Sequence, residues 1–197
     1  MKVSSKEMYK ILRETLAPVL KEAGYKRTVG SRLGWYKAVD TRLLSFYFQC
    51  DHYGWFDDFG SSVTLTFQLG DDPNPGAGSL LEIERFARLL PAADLEIVCA
   101  LNNEVLASLP PPSPTNPVLF LGEDLRNAFL SGYAVREVPY SRDEDVWMHY
   151  FKPEHVQAWG TFFTTRLVHL ADTYLALRQT SVTRLNNAES TYLDKQG

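Results

Sequence analysis

The chain has 197 residues, of which 45% are hydrophobic, 13% aromatic and 22% charged. That balance excludes a disordered or low-complexity protein and a scaffold that needs disulfides in place of a core. Twenty basic against twenty-four acidic residues leave a net charge of −4, which argues against a general binder of nucleic acid or of anionic membranes.

The length predicts one domain over residues 1–180 with a flexible tail over 181–197. Met1 to Glu7 turns charged and amphipathic at once, with no apolar signal region. No window reaches the roughly 18 apolar residues of a membrane span. A cytoplasmic protein is therefore expected. Cys50 and Cys99 each sit in an apolar stretch and are expected as free thiols. Charge is uneven along the chain: residues 1–50 carry ten basic and four acidic groups, net +6, and residues 51–125 carry two and twelve, net −10. Such blocks either face each other within one fold or form two poles that orient a partner.

Ser4-Ser5-Lys6-Glu7 matches a capping box. Behind it Met8, Leu12, Leu16, Val19 and Ala23 recur at spacings of 4, 4, 3 and 4, one apolar stripe on a helix. Gly24 suits its stop, and Pro18 predicts a bend near Glu14. Strand material follows in Trp35–Val39. Next, Leu44, Phe46, Phe48 and Cys50 alternate with Leu43, Ser45, Tyr47 and Gln49. Val63, Leu65, Phe67 and Leu69 then alternate with Thr64, Thr66 and Gln68, implying one core face and one polar face. The short links suit an antiparallel meander.

Gly70 to Gly78 is a breaker-rich loop. Ile83, Phe86, Ala87 and Leu90 predict a short helix stopped by Pro91. Leu95, Val98, Leu101, Val105 and Leu109 predict another, with polar Asn102 beside the stripe. Pro110 to Pro117 reads as an extended connector. Glu123–Leu130 is expected as a short helix, Tyr133–Val138 as a strand, Arg142–Asp145 as a charged turn and Val146–Phe151 as a strand. Pro153 then opens a last helix. Its stripe of Val156, Trp159, Phe163, Leu167, Leu170, Tyr174 and Leu177 should cover the sheet.

Candidate sites are few. Asp51, His52, Asp57 and Asp58 share a strand-to-strand segment with Tyr53, Trp55 and Phe56. Imidazole beside carboxylate suits a divalent metal or an activated water, but no paired-histidine spacing is present. Aromatics beside charge suit a contact loop, and His52, Tyr53, Trp55, Phe56 and Asp58 are read as the binding residues. His149 and His155 are placed at one end of the sheet. His169 and Asp172, three apart on the last helix, are expected to pair. No serine or cysteine stands at a triad spacing from these histidines. Gly70, Gly76 and Gly78 make no phosphate loop, because Asp71 and Asp72 repel phosphate and no lysine precedes a serine or threonine. Lys26, Arg27 and Arg32, with Trp35 and Tyr36 close by, form the best basic patch and are read as ordinary surface.

Leu16-Ala17-Pro18-Val19-Leu20-Lys21-Glu22-Ala23-Gly24-Tyr25-Lys26-Arg27, the aromatic strand at Trp35 and Tyr36, Phe46–Gln49 and Val63–Leu69 together resemble a bacterial domain-of-unknown-function family, DUF4304, over residues 5–70. Cys50 and Asp51 stand where small polar residues are common in that family. The resemblance implies a compact bacterial domain and supplies no catalytic residue.

The expectation is an α+β fold: an antiparallel sheet of about four strands packed against N- and C-terminal helices. The expected function is that of a non-enzymatic interaction or accessory protein with a protein partner, no nucleic acid and no membrane. The competing expectation is a small metal-assisted hydrolase using Asp51, His52 and Asp58 near His149. The residues assign no cofactor and no oligomeric state.

Overall fold

The computed structural model describes residues 2–78, 82–113 and 122–179. The tail expected over 181–197 and residues 114–117 of the proline run lie outside them. Helix α1 (Ser5–Glu22) starts where the Ser4 hydroxyl accepts the Glu7 N–H at 3.2 Å, as the capping box requires. It runs through Pro18, whose missing donor leaves the Glu14 carbonyl on an exposed face where water can pair it. It ends at Gly24, whose φ of +82° is the left-handed turn that glycine adopts freely. Its buried stripe is Met8, Leu12, Leu16 and Leu20; Leu20 takes the place expected of Val19.

Strands β1 (Lys26–Arg27), β2 (Leu33–Val39), β3 (Arg42–Cys50), β4 (Ser61–Gly70) and β5 (Glu82–Arg85) form an antiparallel meander in that order. β6 (Met148–Tyr150) pairs with the start of β4, with Ser62 opposite His149. The sheet therefore has six strands where about four were expected. The added edge pieces are short, and a four-residue run such as Glu82–Arg85 carries too little pattern to be told from a helix turn. The helix expected over Ile83–Leu90 is in fact β5 followed by the short helix α2 (Phe86–Leu89).

Helices α3 (Ala92–Ala107) and α4 (Glu123–Ser131) follow. The strand expected over Tyr133–Val138 does not form; that stretch is turns and irregular chain. The last helix is two: α5 (Pro153–Thr164) and α6 (167–179). They part at Thr165–Arg166, where the Arg166 guanidinium is held by Asp94 at 2.9 Å. The apolar stripe passes through the break, for Val156, Trp159, Phe163, Leu167, Leu170 and Tyr174 are all buried. Only Leu177 falls outside it, at 49% exposure.

One face of the sheet meets these helices. Phe46 lies between Trp35 and Phe67 at ring separations of 6.0 and 5.5 Å, and Phe48 meets Phe163 edge-on at 5.7 Å. α1 and α5 approach closely at Gly160, where a Cβ would stand 3.0 Å from Thr15 Cγ2. The other face of β4 was expected to be polar and is, but it too is buried: Ser62, Thr64, Thr66 and Gln68 are all covered. The covering chain is pinned by hydrogen bonds. Thr64 Oγ1 donates to the Val146 carbonyl at 3.1 Å, and Arg85 donates to Thr66 Oγ1 at 2.9 Å. Gln68 Nε2 donates to the carbonyls of Asp72, Asn74 and Ala77, while its Oε1 accepts the Gly76 N–H. One glutamine thus organises the breaker-rich loop. Buried polar groups require such partners.

Candidate functional site

The polar face of the sheet ends in a cleft of about 430 Å³. Its floor is Ser62 on β4, His149 on β6 and Asp51 at the end of β3. One wall is the β3–β4 connection, with His52 and Tyr53. The other is Phe129, near the end of α4, with Tyr133, Tyr140 and Trp147 on the irregular chain after it. Asn102 positions this floor from below. It lies fully buried on α3, accepts the His149 N–H at 2.8 Å, and donates to the Trp147 carbonyl and the Tyr140 hydroxyl at 2.8 and 2.9 Å. The buried polar residue beside the α3 stripe is therefore a pin between α3, β6 and the cleft wall.

Aromatic rings make the wall continuous. Phe129 meets Tyr53, Phe56 and Phe59 edge-on at 6.3, 5.7 and 5.8 Å. Tyr133 packs on Phe129 at 5.0 Å and on His149 at 4.9 Å. Arg136 lies 4.2 Å above the Tyr140 ring and pairs with Glu144 at 2.9 Å. Asp145 accepts from Trp147 Nε1 at 3.1 Å and faces Arg85 at 3.4 Å.

The floor is charged differently. Asp51 accepts the Tyr53 N–H at 3.0 Å and the Ser62 hydroxyl at 3.3 Å. No lysine or arginine lies within 4.0 Å of it among the described residues; its neighbour is His52 at 3.6 Å, whose side chain is 79% exposed while that of Asp51 is 18% exposed. His149 cannot compensate this charge. Burial pushes its imidazole down to about 4, against the smaller upward pull of Asp51 and the Gly132 carbonyl. It is neutral at pH 7, and its Nδ1 has no hydrogen-bond partner. Burial also pushes the Tyr133 hydroxyl well above the ordinary range, so it stays protonated.

The expected binding residues separate. His52 and Tyr53 line the cleft, their rings 3.8 Å apart. Phe56 supports Phe129 from behind. Trp55 turns the other way and stacks on Phe151 at 5.6 Å. Asp58 accepts the Ser113 N–H at 2.7 Å, away from the cleft. Asp57 is exposed. His155, expected beside His149, instead accepts the N–H groups of Phe151 and Lys152 at the start of α5, at 3.1 and 3.3 Å. Burial lowers its pKa and keeps it the neutral acceptor that this cap needs. His169 and Asp172 are both exposed and form no ion pair within 4.0 Å among the described residues, because each points to water where pairing gains little.

Cys50 and Cys99 are free thiols, Cys99 buried and Cys50 half-buried. Burial raises the Cys50 thiol, which is therefore not an activated nucleophile. Among the described residues no three His, Cys, Asp or Glu side chains gather as metal ligands, and no helix is long and apolar enough to cross a membrane. Phe129, Tyr133 and Trp147 were missed as site residues. Tyr133 and Trp147 lie on irregular chain without a period, Phe129 lies on the short helix α4, and only Asn102, polar beside an apolar stripe, signalled a buried polar centre. The chain matches no protein-family model, no curated protein and no solved structure.

Proposed function

We propose that this chain is a non-enzymatic interaction protein, and that the cleft receives a basic side chain of a protein partner. The observation that carries the reading is Asp51: a mostly buried carboxylate without a lysine or arginine among the described residues, set in the floor of an aromatic cleft. A carboxylate shielded from water gains most from a cation delivered to it. Tyr53, Tyr133 and Trp147 offer ring faces to the same cation. His149, neutral and with an unpartnered Nδ1, supplies a polar contact without opposing charge. Kinship of residues 5–70 with DUF4304 is proposed on the residues quoted for it, and it assigns no reaction.

The test is a titration of the protein with a short arginine peptide and its citrulline counterpart, read by Trp147 fluorescence and amide shifts around His149. Saturable binding by the arginine peptide alone, abolished by Asp51→Asn, is expected. Equal binding of both peptides, or none, removes the reading. The competing hydrolase draws support from Asp51, His52 and His149 sharing one cleft. Its second carboxylate, Asp58, is engaged elsewhere. Stoichiometric zinc or manganese in the purified protein, lost on His52→Ala, would put that reading first.

A further inference from the structure

A second groove lies along a flank of α1, beside the β1–β2 connection, and is independent of the cleft. It encloses about 530 Å³ between the first turns of α1 and the chain joining β1 to β2. Lys6, Lys10 and Arg13 line one wall at spacings of 4 and 3, which places them on a single helix face. Arg27 and Arg32 line the other. Against these five cations the lining holds one acid among the described residues, Glu7. None of the five cations has a carboxylate within 4.0 Å among the described residues, whereas Arg42, Arg85, Arg88, Arg136, Arg166 and Arg178 all do.

The arginines are held in place. Arg27 donates to the Gly34 carbonyl at 2.9 Å and lies 5.3 Å over the Trp35 ring. Arg32 lies 5.3 Å over Tyr47. Arg13 and Arg27 repel one another across the groove, and with burial this lowers the Arg27 pKa. Like charges facing one space, two of them held in place, are stabilised by a multiply charged anion between them.

The lining also limits what that anion is. Tyr9 is the one aromatic residue among the described lining residues, half-buried with its hydroxyl donating inward to the Phe48 carbonyl, so the groove offers no pair of rings to hold a base between them. Leu33 is buried and gives no apolar pocket for a peptide side chain. The enclosed volume suits a small ligand. We propose that this groove binds a diphosphate group of a small molecule, with Arg13 and Arg27 gripping it from opposite walls and Lys6, Lys10 and Arg32 completing the charge.

The test is calorimetric titration of the full chain with inorganic pyrophosphate, sulfate and an oligo-aspartate peptide at matched ionic strength. One saturable pyrophosphate site is expected, weakened at least about tenfold by Arg27→Gln and severalfold by Lys10→Gln. Lys10 is exposed and its replacement does not disturb the core, so that arm holds if the arginine variant folds poorly. Lys21→Gln, equal in charge change but outside the groove, should leave binding unchanged. Absence of saturation by about 10 mM, equal affinity for sulfate or oligo-aspartate, or an equal loss in Lys21→Gln overturns the proposal.

Discussion

The two faces of β4 are equally hidden from water and are held by different physics. Val63, Leu65, Phe67 and Leu69 face helices and other rings, where stability scales with apolar area and close fit. Ser62, Thr64, Thr66 and Gln68 face irregular chain, where each contact is a hydrogen bond between specific atoms. The first face tolerates changes that conserve volume. The second tolerates few changes, since removing one partner leaves another buried and unpaired. The cleft lies on the second face, which is where directional groups can be aimed.

The largest expected effect is on the apolar side. Trp159→Ala removes a ring that is 1% exposed and whose Nε1 donates to the His149 carbonyl; urea unfolding should show a loss of about 3–5 kcal/mol. Asn102→Leu probes the polar side with nearly constant volume. It orphans the His149 N–H and the Trp147 carbonyl and should cost about 2–4 kcal/mol, with the amide signals of the cleft wall moving most. If it costs no more than an exposed substitution, the contrast between the faces is broken.

His149 sharpens the comparison through pH. Its pKa falls from the ordinary 6.5 unfolded to about 4 folded. Below 6.5 the unfolded chain holds the extra proton, so stability is full above that pH and declines as acid is added toward 4. This group accounts for a loss on the order of 2–3 kcal/mol. His149→Gln should flatten that part of a stability-against-pH curve. The smallest effect is expected at Gln68→Leu. It releases the 72–77 loop for about 1–2 kcal/mol, and hydrogen exchange should accelerate at Gly76, whose N–H the Gln68 Oε1 accepts.

The sequence was most informative where burial is apolar and periodic. The Ser4 cap, the stripe Met8–Leu12–Leu16, the alternation in β3 and β4 and the row from Val156 to Tyr174 all follow from side-chain period alone. The break at Thr165–Arg166 does not; beside it Arg166 pairs with Asp94, a residue far away in the chain. The same holds for the site. His52 and Tyr53 were legible as a charged aromatic loop. The opposite wall was not, because Tyr133 and Trp147 lie on irregular chain without a period, and the Val146–Trp147 stretch is held by Thr64 and Asn102. Trp55 and Asp58 have the right chemistry for a contact loop, yet positions three apart on that loop diverge, one toward Phe151 and the other toward Ser113.

Gly160 has a consequence for biosynthesis. Its missing side chain lets the backbone of α5 rest on Thr15, so the two helices that cover the sheet are keyed to each other across most of the chain. A ribosome delivers the first of them long before the second. The nascent N-terminal helix emerges with its greasy stripe uncovered and has no permanent cover until the α5 segment has followed it out of the exit tunnel. Contacts this distant in sequence make for slow folding, and the interval between the two helices is when the growing polypeptide most needs shielding from its neighbours.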